Sequence, residues 1–286
     1  MKKYFALFLC AFLGSASAQI NAVVSILPQK AILQAITGDL VGNTLMIKAG
    51  ENIHSYEPKP SQMIEISKAD IYFSIGVEFE NAWLEKFTNQ NKKLVVVDVT
   101  KGIEKIDMLE HEHGHGHAHK ESKGAISKDP HVWTSPKNIK IIAKNMLETL
   151  LQLDSKNSAV YEKNHAAFVQ KVDALDTQIQ TIFKSVAPHA KFMVFHPSWG
   201  YFAHQYNLEQ LAIEVAGKEP KPKELAMILE EAKEENIKAI FAQPEFSDKS
   251  AKIIAEDLGI RVIKISPLSP DWEQTLINMA NAIANR

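Results

Sequence analysis

Five histidines alternate with glutamate, glycine or alanine in one short stretch of this chain: His111, His113, His115, His117 and His119. Neutral imidazole is the commonest protein ligand for zinc and related ions. The stretch holds no large apolar side chain, and its two glycines disfavour a stable helix. We therefore predict a mobile, exposed loop that collects metal ions, and the alternative is a solvated low-complexity insert.

Three further histidines stand in proline-punctuated stretches where a strand or loop leads into a helix. His54 follows the second predicted strand, His131 lies in Asp129-Pro130-His131, and His196 directly precedes Pro197. Such turns hold the backbone stiffly and direct a side chain towards the edge of a sheet. Three imidazoles with a fourth open or carboxylate position form a four-coordinate zinc site. Each histidine taken alone could equally be a hydrogen-bonded turn residue, so the metal hypothesis requires that all three converge.

An enzymatic interpretation has two starting points in the sequence. The run from His111 to His115 formally matches the H-E-x-x-H signature of zinc proteases, but that chemistry requires a packed helix, which a glycine-interrupted polar run does not provide. A zinc hydrolase would need a general base near an open metal position, where Glu245 could in principle lie. The remaining histidines are predicted to be surface or core-edge residues: His165, His189 and His204.

The first eighteen residues have the pattern of a cleavable export signal. Lys2 and Lys3 precede an apolar run at 4–13 that is too short to span a bilayer, and Ala16-Ser17-Ala18 matches an A-x-A cleavage site. The only cysteine, Cys10, lies inside this segment, so the mature chain would need no disulfide in an oxidising compartment. We expect a periplasmic protein without direct insertion into the membrane.

Charge and composition exclude several classes of partner. The 286 residues carry 32 basic and 34 acidic side chains, and loss of Lys2 and Lys3 with the signal leaves 30 against 34. No basic stripe is present, so we expect no nucleic-acid partner. A hydrophobic fraction of 45% allows a sizeable core, and the length allows one or two domains. We expect a monomer.

Short runs rich in valine and isoleucine alternate with helical patterns along most of the chain. In the first part the predicted strands are 21–26, 44–49, 70–75 and 93–99, and the predicted helices are 29–37, 60–68 and 81–89. In the last part the predicted strands are 191–195, 209–215, 239–242 and 261–265, and the predicted helices are 222–235, 247–258 and 271–284, the last two capped by Ser247 and Asp271. Such alternation builds parallel sheets that helices cover on both faces.

Between these parts the alternation is interrupted. Residues 102–129 form a polar, His-rich segment longer than most ordered loops. A helix at 136–151 then precedes a second one at 155–186, about 45 Å long, which exceeds the width of a small domain. We therefore predict an α/β fold of two lobes joined by one long rigid helix. The predicted divisions are a signal peptide at 1–18, an N-terminal lobe at 19–135 with the His-rich loop 102–129, a helical segment at 136–187 and a C-terminal lobe at 188–286, with the ligand in the cleft between the lobes.

Five longer segments together resemble one known family across nearly all of the mature chain: 54–61, 76–80, 129–133, 195–202 and 241–247. The chain resembles the zinc-type members of the metal-specific solute-binding proteins of ABC importers. The resemblance implies two α/β lobes bridged by a rigid helix, one metal ion in the cleft, no catalysis, and delivery of the metal to an ABC-type permease in the inner membrane.

The same resemblance implies which residues bind the metal. The family's three ligands fall at His54, His131 and His196. Manganese-type members tend to have glutamate at the third position, so His196 together with the His-rich loop indicates Zn²⁺, which accepts nitrogen donors more readily than manganese does. Ser266 stands where many members have an aspartate that completes the site, and Glu245 is displaced by two residues from the usual acid. The fourth ligand therefore stays open between water and Glu245.

The sequence as a whole predicts a periplasmic protein that captures Zn²⁺ and feeds an ABC-type zinc permease. The His-rich loop would act as a weaker auxiliary metal site. The alternatives are a manganese or iron solute-binding protein of the same family, and a zinc hydrolase. Because the long helix limits motion, we expect a small closure of the lobes rather than a wide hinge.

Overall fold

The computed structural model describes residues 19–108, 128–215 and 217–284. Within these ranges, parallel strands form two four-stranded sheets, which confirms the predicted fold class. The proposed signal peptide and the five clustered histidines at 111–119 lie outside the described residues. None of the helices within the described ranges combines the length and apolar character that a bilayer span requires.

The first lobe is built on a sheet with the strand order β2-β1-β3-β4, in which every neighbouring pair is parallel. Its elements are β1 (Ile20–Val24), α1 (Leu27–Thr37), β2 (Val41–Leu45), α2 (Pro60–Lys68), β3 (Ile71–Ser74), α3 (Glu78–Gln90) and β4 (Val95–Asp98). The strand β3 is buried along its whole length, as an apolar strand of a sheet covered on both faces should be. The helix α2 begins at Pro60, where the missing N–H removes no helical hydrogen bond.

The second lobe repeats this arrangement with the order β6-β5-β7-β8. Two helices, α4 (Pro136–Leu153) and α5 (Ser158–Phe183), precede it in the chain. Its own elements are β5 (Lys191–Val194), α6 (Gly200–Gln205), β6 (Glu209–Ala212), α7 (Pro222–Glu234), β7 (Ala239–Ala242), α8 (Lys249–Leu258), β8 (Arg261–Lys264) and α9 (Trp272–Ile283).

The helix α5 joins the lobes. Its 26 residues span about 39 Å, and it packs against α1 of the first lobe, α4, and α9 of the second lobe. Phe168 of α5 faces Trp272 of α9 with ring centroids 6.0 Å apart, and Phe183 faces Phe202 of α6 at 5.9 Å. One hydrophobic cluster therefore runs from the first lobe through α4 and α5 to one face of the second sheet, while a separate cluster lies under α7 and α8.

Several local predictions differ from the structure; the long helix, for example, is Ser158–Phe183 and shorter than the predicted 155–186, and β6 ends at Ala212 instead of 215. The strand β2 ends at Leu45 instead of 49; Met46 and Ile47 are buried but lie beyond the strand, so burial did not mark its end. The helix α8 begins at Lys249, and the predicted cap Ser247 is wrong, because Asp248 occupies the cap position while its carboxylate pairs with Lys252 and Lys264. The helix α6 was not predicted, since six residues are too few to show a period.

Candidate metal centre

The three histidines predicted from the sequence lie together between the lobes. The Nε2 atoms of His54 and His196 are 2.9 Å apart, and the ring centroid of His131 lies 5.5 Å from that of His54 and 5.2 Å from that of His196. One nitrogen of each ring lies within 4.8 Å of the other two. Because nitrogens that share a tetrahedral zinc are roughly 3.3 Å apart, shifts on the order of 1 Å would place all three around one ion.

His196 is fixed by the loop that follows β7. The side chain of Gln243 accepts a hydrogen bond from the His196 backbone N–H at 3.2 Å and donates to the His196 carbonyl at 2.7 Å. The ring of Phe246 stacks on the imidazole, with centroids 4.5 Å apart and planes 19° from parallel. His196 lies two residues after the end of β5, and its neighbours leave only 5% of its side chain exposed, so the imidazole is held rigidly.

His131 lies in the short 3-10 turn region that leads into α4. The Asp129 carboxylate accepts hydrogen bonds at 2.8 Å from both the backbone N–H and the ring Nδ1 of His131. The indole N–H of Trp133 donates to the carbonyl of Pro267 at 2.8 Å, which ties this turn to the second lobe. His131 is 1% exposed and is therefore as firmly held as His196.

His54 lies in the irregular segment between β2 and α2. Its backbone N–H donates to the side chain of Asn52 at 2.8 Å. The hydroxyl of Tyr56 anchors the segment: it lies 2.7 Å from the Met46 carbonyl oxygen and 2.5 Å from the side-chain oxygen of Gln62, and it donates its one proton to either of them. The side chain of His54 is 23% exposed. This histidine therefore forms the solvent-facing side of the cluster.

Each imidazole has its own carboxylate partner. Nδ1 lies 2.8 Å from Glu78 in His54, 2.8 Å from Asp129 in His131 and 2.7 Å from Glu214 in His196. A carboxylate that accepts the Nδ1 proton fixes the tautomer and leaves the Nε2 lone pair free for a cation. The Nε2 atoms of His54 and His196 are 2.9 Å apart, so a cation between these rings would be within reach of both nitrogens.

Burial and charge set the protonation of the cluster. Burial lowers the pKa of His196 to about 4, although the hydrogen bond with Glu214 acts in the opposite direction. Burial alone would raise the pKa of Glu78, but the hydrogen bond and the charge of His54 outweigh it and lower that pKa overall. The His196 imidazole is therefore neutral at neutral pH, as a metal ligand must be.

Residue type and spacing assign no role to any of the three carboxylate partners. Glu214 is the acidic residue that ends the otherwise apolar run 211–214. An acidic residue at the end of a buried strand is the sequence signal by which its role could have been found. Glu78 had been noted only as part of a family-like segment. Asp129 was named beside His131, but its double hydrogen bond depends on a turn geometry that spacing alone does not give.

The remaining predicted residues lie elsewhere. Among the described residues, the close group of ligand atoms contains the three histidines only, so the Glu245 carboxylate is outside it. One oxygen of Glu245 accepts a hydrogen bond from Ser266, and the other is buried without a hydrogen-bond partner. His165 is half-buried on α5, while His189 and His204 are exposed.

Comparison with known proteins places nearly the whole chain in one family. The family model described as zinc-uptake complex component A periplasmic (ZnuA) matches residues 22–286. The manganese ABC transporter substrate-binding lipoprotein scaA of Streptococcus gordonii is 28% identical over 282 residues, which cover 92% of this chain and 88% of that protein.

Solved structures agree with this assignment. A crystal structure of ZnuA is 37% identical, with a TM-score of 0.84 over 94% of this chain and 99% of that chain. A ZnuA deletion mutant with zinc bound is also 37% identical, with a TM-score of 0.83 over 94% of this chain and 98% of that one.

Proposed function

The chain belongs to the zinc-uptake complex component A family, and from this premise we propose that it captures Zn²⁺ between its lobes and delivers it to an ABC-type zinc permease in the inner membrane. Its relatives are substrate-binding components of ABC metal importers, so the chain is a binding protein and not an enzyme. The proposed ligands are His54, His131 and His196. The observation that carries the proposal is the convergence of these three imidazoles, each with a carboxylate on Nδ1.

The donor set supports zinc as the cargo. Zinc accepts imidazole nitrogen readily, whereas manganese prefers carboxylate, carbonyl and water oxygens. In the described part of the chain, the clustered donors are three nitrogens, and no carboxylate belongs to the cluster. We therefore propose a water molecule in the fourth position. Manganese is the competing candidate, because the relative from Streptococcus gordonii is named for that metal.

The orientation and protonation of the proposed ligands govern how zinc would bind and how it would be released. The three carboxylates hold the imidazoles with Nε2 towards the cleft, so the ligands need little reorganisation when zinc arrives. The more exposed His54 would meet the ion first, and the two buried histidines would complete the site. Protons compete with zinc for the same nitrogens, so binding at His196 should weaken as the pH falls towards the pKa of that imidazole, about 4.

The location and the His-rich segment are part of the same proposal. An export signal at 1–18 and release of the mature chain into the periplasm would place the protein where a permease could receive its metal. We propose that His111, His113, His115, His117 and His119 bind further metal weakly. The two flanks of this segment lie together, since Asp107 and Lys128 form a β-bridge and an ion pair of 2.5 Å.

The pairing of these flanks allows a clean test by deletion. A variant in which a short glycine linker replaces residues 109–127 would keep the bridge closed. Metal-free protein should bind one tight equivalent of zinc in this variant and additional, weaker equivalents in the full chain, measured by calorimetric titration. Loss of all tight binding on deletion would refute the three-histidine site.

A competition experiment addresses the choice of metal. Excess Mn²⁺ should fail to displace zinc from the loop-deleted protein, because the proposed ligands are nitrogens. A His196→Glu variant provides the matched comparison, since it introduces the oxygen donor that manganese prefers. If Mn²⁺ displaced zinc from the wild-type site at equal concentration, the manganese alternative would be favoured.

A further inference from the structure

The turn that carries His131 is held by the first residues of α6, an element of the second lobe. The hydroxyl of Tyr201 donates a hydrogen bond to the backbone carbonyl of Asp129 at 2.9 Å and accepts one from the backbone N–H of Ile106 at 3.3 Å. Burial raises the pKa of Tyr201, so the phenol keeps the proton that it donates. The Asp129 N–H in turn donates to the carbonyl of Ile106 at 3.0 Å. One tyrosine hydroxyl therefore joins both strands of chain that meet at this turn.

The Asp129 carboxylate occupies space that is free only because residue 200 is a glycine. A Cβ atom on Gly200 would lie 2.6 Å from Oδ2 of Asp129 and 3.1 Å from Cδ1 of Ile106. The other oxygen of the same carboxylate, Oδ1, accepts both hydrogen bonds from His131. Because a carboxylate is planar and this one is 2% exposed, a displacement of Oδ2 would also move Oδ1 and the imidazole that depends on it.

The helix α6 can serve as a fixed support because its far end is anchored. The side-chain oxygen of Gln205 accepts hydrogen bonds from the Ser135 hydroxyl at 2.5 Å and from the Lys137 N–H at 3.1 Å. The amide of Gln205 donates to Asp176 of the long helix α5 at 2.8 Å. These contacts hold α6 against α4 and α5, so it does not move independently of the turn at His131.

We propose that Gly200 and Tyr201 are positioning residues: Tyr201 holds the Asp129 backbone, Gly200 leaves room for the Asp129 carboxylate, and through Asp129 both keep the His131 imidazole in the metal-binding geometry. This inference rests on the proposed function. It makes His131 and His196 one rigid pair, since elements of the second lobe hold both, and leaves His54 as the ligand that approaches from the first lobe. The affinity for zinc then depends on Gly200 and Tyr201, which act through Asp129.

A pair of tyrosine variants tests the proposal. Tyr201→Phe removes only the hydroxyl that bonds Asp129 and Ile106. Tyr206→Phe, at the other end of α6, is the matched control, because it removes a hydroxyl that donates to Asp176 at 2.8 Å. Zinc affinity, measured by competition with a chelator, should fall roughly 10-fold in Tyr201→Phe, at the lower end of the effect of outer-sphere partners, and should not change in Tyr206→Phe.

Thermal unfolding separates positioning from a general loss of stability. If Tyr201 positions His131, the rise in Tm that zinc produces should shrink in Tyr201→Phe and not in Tyr206→Phe. The visible spectrum of the Co²⁺-loaded proteins should differ from wild type in Tyr201→Phe alone, because the spectrum reports the geometry of the ligands. Gly200→Ala should produce the same changes more strongly, and if that variant does not fold, the tyrosine pair decides the matter.

The outcomes distinguish this proposal from the one on which it rests. If wild-type protein binds zinc tightly but Tyr201→Phe matches Tyr206→Phe in affinity, zinc-induced Tm and Co²⁺ spectrum, then the positioning role is overturned and zinc capture stands. If the metal-free Tm of Tyr201→Phe falls while its affinity stays at the wild-type value, the tyrosine is structural only, which also overturns the proposal. If wild-type protein itself fails to bind zinc, the proposed function is refuted.

Discussion

The two lobes share one topology but present their histidines differently. The orders β2-β1-β3-β4 and β6-β5-β7-β8 are equivalent, with the first strand of each lobe next to the second and the third. The first lobe presents His54 from an irregular segment, 23% exposed, whereas the second presents His196 two residues after the end of β5, 5% exposed. Equivalent sheets therefore provide one accessible and one buried histidine, and this asymmetry would suit the proposed site, which must both admit and retain an ion.

Each lobe also buries a titratable group whose pKa burial shifts. The carboxyl of Glu80 in the first lobe accepts hydrogen bonds from the Ser25 hydroxyl and from the backbone N–H groups of Ile75 and Gly76, and burial raises its pKa to about 7. In the second lobe burial lowers the pKa of His196 to about 4. Desolvation disfavours the charged form in both cases, so one cause shifts an acid and a base in opposite directions.

Removal of the ligands should give the largest effects. His196→Ala should weaken zinc binding by more than the roughly 100-fold that loss of an outer partner can cost, because a directly coordinating nitrogen disappears. His54→Ala should have a smaller effect, since water can reach this exposed position and replace the ligand. Calorimetric titration of both variants measures the difference. Equal losses would contradict the asymmetry between the lobes.

The carboxylate partners offer a finer comparison. Glu214→Gln should lower zinc affinity roughly 10- to 100-fold, because it removes a buried negative charge from the His196 imidazole. Glu78→Gln should cost less, since solvent screens this side chain, which is 40% exposed. Chelator competition at fixed pH compares the two, and a greater loss in Glu78→Gln would show that exposure does not govern the strength of these pairs.

The smallest expected difference between the lobes lies in how a buried group of each affects the stability of the metal-free protein as the pH changes. The folded pKa of His196 is below its ordinary value of 6.5, so its contribution to stability is present above pH 6.5 and is lost as the pH falls towards 4, by roughly 2–3 kcal/mol. The folded pKa of Glu80 is above its ordinary value of 4.5, so its contribution is present below pH 4.5 and is lost as the pH rises through 7.

Between about pH 4.5 and 6.5, the contributions of His196 and Glu80 to stability change with pH in opposite directions. Glu80→Gln should therefore steepen the loss of stability on acidification, and His196→Asn should flatten it. Urea unfolding of metal-free protein at a series of pH values measures both variants against wild type. Parallel profiles for all three proteins would show that neither buried group titrates in this range.

Most of the fold was predictable because its signals are local. The apolar runs near β1, β3, β4, β7 and β8 and the first-turn prolines at α2, α4 and α7 each reflect the properties of a few adjacent residues. The predictions that were wrong depend on competition between neighbours. Met46 and Ile47 are buried without belonging to a strand, and Asp248 displaced Ser247 as the cap of α8.

In the candidate site, too, the predictable features are local and the features that were missed depend on distant contacts. Residue type and proline-bounded turns were enough to single out His54, His131 and His196, because the ability to bind metal belongs to the imidazole itself. Glu214 and Tyr201 act through contacts with residues 18 and 72 positions away in the chain, and no local pattern encodes such contacts.

By itself, the sequence determined the alternating strands and helices, the presence of a long joining helix and the three imidazoles. Only the tertiary structure decided which carboxylate faces each ring, which histidine stays exposed, and that α6 of the second lobe supports the turn of His131. The physical reason is that hydrogen bonds and desolvation depend on distances of a few ångströms between distant parts of the chain, and only packing sets these distances.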